Sequence, residues 1–237
     1  MRESVYPVPS SYVLYGKDRP VIPLVERLRN GQVHNRTLSY IESRIAEKGQ
    51  RFSFIGELKK IASIFEDAPA ISVLDGGCGE GNMLADLKSQ QAKIGKFVET
   101  TGVTMEPEQE EILASKNIDT IFIGSVQEYY ERIRGQKKFH FIIDSSGAAY
   151  HDFGSDSDGT LTQGETIIPI YTDILYPKGR AFLTFLYLNP YWGASRRKLF
   201  DLLERNNLDI IDEFGDHAYL LVEKRESSVS YIRRVLS

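Results

Sequence analysis

The chain has 237 residues, of which 41% are hydrophobic and 26% charged, and its formal net charge is −4. This length allows one substantial hydrophobic core, and the acidic balance disfavours nucleic acid as a partner, because a duplex-binding surface needs a basic stripe. The single cysteine, Cys78, excludes an internal disulfide and a cysteine-rich zinc site, so we predict no metal centre and a reducing, cytoplasmic location. No apolar segment reaches the length of a membrane span, and the first residues lack the apolar core of a secretory signal.

The first 68 residues predict an N-terminal helical extension that caps a larger domain at residues 69–237. Prolines near the start interrupt any continuous helix, whereas residues 37–45 and 54–65 have the apolar spacing of two amphipathic helices. Residues 1–69 contain 11 Lys/Arg against 8 Asp/Glu. This basic excess could face an anionic substrate, and a solvated helix face is the simpler alternative.

Strand-like and helix-like segments alternate after residue 69, which predicts a parallel sheet covered by helices on both faces. The strand-like segments lie at residues 71–75, 97–104, 119–123, 139–144, 179–187, 208–213 and 217–223. The link between the last two is too short for a parallel crossover, so the last strand must run antiparallel. We therefore predict an α/β fold with a doubly wound, seven-stranded, mostly parallel sheet and an antiparallel last strand.

A glycine-rich loop follows the first strand of this sheet. Residues 75–81 read Asp-Gly-Gly-Cys-Gly-Glu-Gly and lead directly into a segment with helical spacing. Glycine lets backbone amides approach a ligand closely, and a strand, a bare loop and a helix start together form a cradle for a nucleoside-bearing cofactor. A dinucleotide fingerprint would need a small residue where this chain has Asn82.

The pattern Asp-x-Gly-x-Gly-x-Gly, together with the reversed last strand, resembles class I S-adenosylmethionine-dependent methyltransferases over roughly residues 68–224. The resemblance implies that the loop binds the methionine part of S-adenosylmethionine and that the acid at the strand end holds its amino group. The residues implied in this contact are Asp75, Gly76, Gly77, Cys78, Gly79 and Gly81.

Two acids typical of that family are replaced here by hydroxyl residues. Thr104 ends the second strand, where most members have an acid for the ribose diol, and Ser125 stands where an acid accepts from the adenine amine. A glutamine five residues after Thr104 resembles the cyclopropane fatty acid synthase branch and implies that Gln109, or alternatively Thr104, contacts the ribose. Met105, Ser125 and Val126 are then expected around the adenine. Because the loop is intact, a reshaped pocket is favoured over a lost one.

The acceptor side is expected at the end of the fourth strand. Asp144 ends a buried segment that matches motif IV of the family, beside the transferred methyl group, and Tyr150 and His151 follow it. His151 could deprotonate an acceptor hydroxyl, with a solvated loop histidine as the alternative. Residues 154–165 are expected to form a mobile acidic lid, and residues 189–193 either an aromatic wall or ordinary packing.

We predict a methyltransferase that uses S-adenosylmethionine and acts on a small-molecule acceptor, without a membrane span. Three alternatives stay open: a catalytically silent scaffold protein with the same fold, a protein methyltransferase, and a nucleotide-dependent oxidoreductase. Asn82 and the reversed last strand speak against the oxidoreductase. The sequence defines neither the acceptor nor the oligomeric state.

Overall fold

The computed structural model describes residues 12–15, 36–145, 166–184, 192–214 and 219–226, with side chains described outside residues 12–15 and 192–196. These residues contain eight strands in one sheet. The strands are β1 Tyr12–Tyr15, β2 Ala70–Asp75, β3 Phe97–Thr104, β4 Thr120–Ile123, β5 Phe139–Asp144, β6 Leu175–Thr184, β7 Leu208–Phe214 and β8 Tyr219–Lys224. The helices are α1 Leu38–Ala46, α2 Phe54–Ile64, α3 Asn82–Ser89, α4 Gln91–Ile94, a 3-10 turn Pro107–Gln109, α5 Glu110–Ala114, α6 Val126–Ile133, α7 Ile167–Ile174 and α8 Trp192–Arg205.

The sheet order is β1-β4-β3-β2-β5-β6-β8-β7, and β8 is antiparallel to both of its neighbours. All other neighbouring strands are parallel. The predicted doubly wound, mostly parallel sheet with a reversed last strand is therefore confirmed. A hairpin brings β8 back between β6 and β7, because the link that follows β7 is too short for a crossover.

An eighth strand, β1, was not predicted. It lies at the sheet edge and pairs in parallel with β4, from Tyr12 opposite Thr120 to Tyr15 opposite Ile123. Its sequence, Tyr-Val-Leu-Tyr, is rich in the aromatic and β-branched residues that favour strands. The N-terminal extension thus contributes a strand to the sheet in addition to its two helices.

Both helices predicted in the extension are present, and they pack on one face of the sheet. Ser53 and Thr37 cap them, because each hydroxyl accepts from a backbone N–H of the first turn. The apolar stripe of α1 and that of α2 share a buried cluster with side chains of β2, β5 and β6. The cluster includes Leu38, Ile41, Ile45, Phe54, Leu58, Ile61, Val73, Ile143 and Phe182.

The opposite face of the sheet is covered by α6, α7 and α8. Tyr129, Tyr171 and Leu199 from these helices are buried against Leu74 and Ile142 of the central strands. Successive strand residues point to opposite faces, so each central strand supplies side chains to both layers. None of the helices in the described ranges is long and apolar enough to cross a membrane.

Candidate functional site

The carboxyl ends of β2 and β5 mark the point at which the strand order changes direction. From β2 the chain moves outward to β3 and β4, and it then returns to the other side of β2 to form β5. In doubly wound sheets, ligands bind in the crevice that opens at this position. Asp75 ends β2 and Asp144 ends β5, so the fold brings these two predicted site residues together beside the glycine loop.

Asp75 is a buried carboxyl group with 2% of its surface exposed. Its Oδ1 accepts from the Gly77 N–H at 3.2 Å. Burial raises the pKa of Asp75 to about 7; the Gly77 hydrogen bond opposes this rise, Asp144 adds to it, and Arg36 opposes it. The site therefore holds a carboxyl group that changes charge near neutral pH and that a cation would keep ionised.

Asp144 faces the helix layer opposite α1 and α2. Its Oδ2 accepts from the Tyr171 hydroxyl of α7 at 2.5 Å, and both side chains are buried. A Cβ at Gly76 would lie 1.9 Å from that hydroxyl oxygen. Position 76 therefore requires glycine because Tyr171 fills the space beside it. This packing explains the glycine without a ligand.

Contacts within the protein also explain why position 81 is a glycine. It has φ = 73° at the start of α3, and a Cβ there would lie 2.4 Å from Ile118 Cδ1 and 2.7 Å from Leu113 Cδ2. Only glycine readily adopts this conformation at such a close approach. Gly77 and Gly79 are partly exposed at the tip of the loop, and Gly79 shares the positive φ, at 51°.

Cys78 points away from the loop surface towards β3. Its N–H donates to the Val103 carbonyl at 3.0 Å, and a Cβ at Gly102 would lie 2.9 Å from its Sγ. Burial raises the pKa of the Cys78 thiol well above its usual range, with Asp75 adding to the rise. The thiol therefore stays protonated and unreactive, and it fills a small gap beneath the loop.

The predicted ribose residues form a hydrogen-bonded group of their own after β3. The Thr104 hydroxyl donates to Gln109 Oε1 at 3.3 Å and accepts from the Glu106 N–H at 3.2 Å. Gln109 is buried, and its side-chain N–H donates to the Glu106 carboxylate. Glu106, which is partly exposed, was missed as a candidate because it lies two residues beyond the strand end.

The predicted adenine residues differ in exposure and in their contacts within the protein. Met105 is 47% exposed, so its side chain is accessible from solvent. Val126 is buried at the start of α6. Ser125 caps α6: its hydroxyl accepts from the Glu128 N–H at 3.2 Å, and the Glu128 carboxylate accepts from the Ser125 N–H at 2.9 Å.

Arg36 is a further charged residue at this edge that the sequence did not single out. One of its terminal nitrogens donates to Ser145 Oγ at 3.0 Å, directly after β5. Its positive charge also opposes the rise that burial causes in the pKa of Asp75 and in the pKa of Tyr219. A basic side chain from the extension therefore reaches the switch point.

The remaining predicted acceptor residues lie outside the part of the chain that the structure describes. Tyr150, His151, the proposed lid at residues 154–165 and Tyr191 belong to this group, and their roles stay predictions.

No protein-family model and no curated protein matches the sequence. Among solved structures, the chain is similar to a protein from Listeria monocytogenes provisionally assigned as a class I S-adenosylmethionine-dependent methyltransferase, with 16% identity, a TM-score of 0.49, and coverage of 86% of this chain and 74% of that one. It is also similar to a TehB-like SAM-dependent methyltransferase from Corynebacterium glutamicum, with 18% identity, a TM-score of 0.45, and coverage of 85% and 96%.

A third similar structure, provisionally assigned as a SAM-dependent methyltransferase, comes from Streptococcus mutans. It has 14% identity and a TM-score of 0.48; the match covers 71% of this chain and 47% of that one, so this chain spans about half of its length. All three TM-scores are below 0.5 and all identities are at or below 18%. These similarities therefore define neither the activity nor the acceptor of this chain.

Proposed function

We propose that this chain is a class I methyltransferase that uses S-adenosylmethionine and acts on a small-molecule acceptor. The observation that carries the proposal is the position of the loop tip. Gly77 and Gly79 are partly exposed at the switch point of a doubly wound sheet, directly beside the buried carboxyl group of Asp75. Bare backbone next to an acid suits a ligand that carries an ammonium group.

The residues around the loop fit the other parts of such a cofactor, with two changes from the sequence-based assignment. Glu106 is the carboxylate suited to the ribose diol, and it replaces Gln109, which supports Glu106 through a hydrogen bond. Met105 is suited to stack on the adenine because it is exposed. Ser125 acts chiefly as a helix cap, so its contact to the adenine is the weaker part of the assignment.

The protein's task in methyl transfer is to position the reactants. When bound, S-adenosylmethionine supplies an electrophilic methyl group on its sulfonium, and an in-line displacement depends more on orientation than on acid–base groups. Asp144 is fixed by Tyr171 beside this crevice. Tyr150 and His151 follow Asp144 in the sequence and are proposed to contact the acceptor, and residues 1–68 are proposed to cap it.

Calorimetry with S-adenosylhomocysteine tests the cofactor site. We expect micromolar binding to the wild-type chain and at least a tenfold weaker affinity for Gly77→Val, because a branched side chain would occupy the exposed loop surface. Gly56→Ala is the matched control, since Gly56 lies in α2 and a Cβ there meets only ordinary contacts. Absence of heat at high micromolar ligand with the wild-type chain would contradict the proposal.

A silent scaffold protein is the second candidate, and one set of observations favours it. Gly76, Gly81, Gln109 and Ser125 all have partners within the protein that explain them without a ligand. If S-adenosylhomocysteine binds, cell extract incubated with methyl-labelled S-adenosylmethionine separates the remaining choices. Label in the small-molecule fraction supports the proposed function, label in protein supports a protein methyltransferase, and no transfer despite binding supports the scaffold.

A further inference from the structure

Three residues with hydroxyl side chains occupy neighbouring positions at the carboxyl edge of the sheet, on the face covered by α1. Thr184 ends β6 and pairs in register with Tyr219, the first residue of β8. Asp144 pairs with Leu183 on the other side of β6, so Ser145, one residue further along, comes next to Thr184. Side-chain alternation puts Ser145, Thr184 and Tyr219 on the same face as Phe182 and Ile143.

The middle hydroxyl of this row has no partner. Thr184 is fully buried, and among the described residues its Oγ1 is the single buried side-chain polar atom without a hydrogen-bond partner. Leaving a buried hydroxyl unpaired is unfavourable, so an exception of this kind needs an explanation. A ligand atom that accepts or shares a hydrogen bond at this position provides one.

Positive charge converges on the same row. Arg36 donates to Ser145 Oγ at 3.0 Å, and both Arg36 and Arg44 of α1 act electrostatically on the Tyr219 phenol, which Arg44 also hydrogen bonds. Asp144 points to the opposite face, where Tyr171 holds it. Arg36 is itself partly exposed, whereas Ser145, Thr184 and Tyr219 are buried.

We propose that Arg36, Ser145, Thr184 and Tyr219 form a subsite for a carboxylate or similar oxyanion of the acceptor, so that the substrate class is a small anionic molecule. A guanidinium group beside several hydroxyl donors is a favourable environment for such an anion. The inference rests on the proposed methyltransferase function, because it assigns the acceptor of that same site.

The position of the row favours the acceptor over the cofactor's own carboxylate. The proposed adenosine contacts follow β3 and β4, Asp75 ends β2 in the centre, and the row extends from β5 across β6 to β8. The row therefore continues away from the adenosine side and spans three strands. A single carboxylate next to Asp75 would not need the hydroxyl groups of β6 and β8.

Binding of benzoate and of its neutral analogue benzamide, measured by calorimetry with saturating S-adenosylhomocysteine, tests the subsite. We expect benzoate to bind the wild-type chain at least tenfold more tightly than benzamide, and Arg36→Gln to abolish this preference. Arg51→Gln, which removes an exposed arginine from the same extension, should retain it. An equal affinity for the two probes in the wild-type chain, or a preference that survives Arg36→Gln, would overturn the proposal.

Thr184→Val provides a test that does not depend on Arg36. It should weaken benzoate binding at least fivefold without lowering the Tm of the free protein, because it removes a hydroxyl that has no internal partner; Thr184→Ser should bind like the wild type. A lower Tm for Thr184→Val together with unchanged benzoate affinity would show a structural role for the hydroxyl and would contradict the subsite.

Two further measurements distinguish a wrong assignment of the anion from a failure of the proposed function. If, at pH 8.5, where Asp75 is largely ionised, Arg36→Gln weakens S-adenosylhomocysteine more than tenfold but leaves 5′-methylthioadenosine unchanged, the anion is the cofactor's carboxylate and the acceptor assignment is wrong. If the wild-type chain binds no S-adenosylhomocysteine, the proposed function fails. A preference for benzoate over benzamide without cofactor would still support the subsite in that case.

Discussion

Asp75 is a carboxyl group whose protonation is controlled by its burial. It is buried, and its pKa is raised to about 7, first because burial penalises the charged form. At neutral pH the carboxyl group is therefore divided between its two protonation states. A bound ammonium group would stabilise the ionised state, which links ligand affinity to pH.

This linkage gives a prediction for the proposed cofactor site. S-adenosylhomocysteine should bind about 30-fold more weakly at pH 5.5 than at pH 8, because Asp75 must lose a proton to receive the ammonium group and each pH unit below its pKa costs a factor of ten. Asp75→Asn should bind weakly at both pH values, with no such dependence. Calorimetry at the two pH values measures both effects, and a wild-type affinity that does not change with pH would contradict the assigned contact.

Met105 and Ser125 are expected to respond differently to truncation. Met105→Ala should weaken S-adenosylhomocysteine binding about tenfold with little loss of stability, because an exposed side chain contributes little to the core. Ser125→Ala should cost about 1 kcal/mol of unfolding free energy through the lost helix cap, with a change in affinity of less than threefold.

Matched controls exist for both substitutions. Ile112→Ala removes another exposed apolar side chain, and Ser53→Ala removes the cap of α2, which should cost a similar free energy with no effect on binding. A large loss of affinity in Ser125→Ala would show that the hydroxyl contacts the adenine directly.

At the scale of elements, the glycine loop has two separate functions. Gly76 and Gly81 allow Tyr171, Leu113 and Ile118 to pack against the chain, whereas Gly77 and Gly79 form the exposed tip. The glycine pattern in the sequence does not distinguish these functions, because the packing partners come from α5, α7 and the residues before β4.

A buried ion pair attaches the helix α2 of the extension to the sheet. Arg180 of β6 lies 2.7 Å from Glu57 of α2 and 2.8 Å from Glu223 of β8. Arg180→Met should lower the unfolding free energy by about 3 kcal/mol, because it leaves the buried Glu57 with less compensation. Glu57→Gln combined with Arg180→Met should lose less than Arg180→Met alone, as measured by urea denaturation.

The exposed pair between Arg225 and Asp209, at 2.6 Å, is the control for this prediction. Arg225→Met should change the unfolding free energy by less than 1 kcal/mol, because exposed ion pairs contribute little. Equal losses from the two arginine substitutions would show that burial of the Glu57 pair is not the deciding factor.

For the whole molecule, two buried groups give opposite contributions to stability as the pH falls. Burial lowers the pKa of His140 to about 4, with Lys96 adding to the decrease. Between pH 6.5 and 4 the unfolded chain therefore binds a proton at His140 that the folded chain does not. The unfolding free energy decreases over that range by up to about 3 kcal/mol. Asp75 binds its proton at a higher pH in the folded chain than in the unfolded chain. The unfolding free energy therefore increases as the pH falls from 7 to 4, by on the order of 4 kcal/mol.

We therefore expect a nearly flat stability profile between pH 7 and 4 from these two groups in the free wild-type chain. Asp75→Asn should remove the contribution that opposes His140, so this variant should lose about 3 kcal/mol on acidification. The exposed Asp201→Asn should follow the wild type. Urea denaturation at several pH values measures the three profiles, and parallel profiles for Asp75→Asn and the wild type would contradict the raised pKa of Asp75.

The layered fold could be predicted from the sequence because its signals are local. Apolar runs alternate with helical spacing, the loop after Asp75 is marked by its glycines, and the short link before the last strand forces the antiparallel pair. The sequence did not predict β1, whose four residues are too few for a periodic signal and which becomes a strand by pairing with β4. It named Gln109 or Thr104 for the ribose contact, but it did not reveal that the Gln109 side chain hydrogen bonds to Glu106.

The groups that meet at the carboxyl edge could not be predicted, because they come together through long-range contacts. Arg36 and Ser145 are 109 positions apart in the chain, and Thr184 lies beside Tyr219 only because β8 inserts between β6 and β7. Contacts of this kind depend on strand order and on which face each side chain takes. Neither property can be read from a linear pattern, so the proposed anion subsite became visible only in the fold. The glycine loop, in contrast, could be recognised from seven consecutive residues.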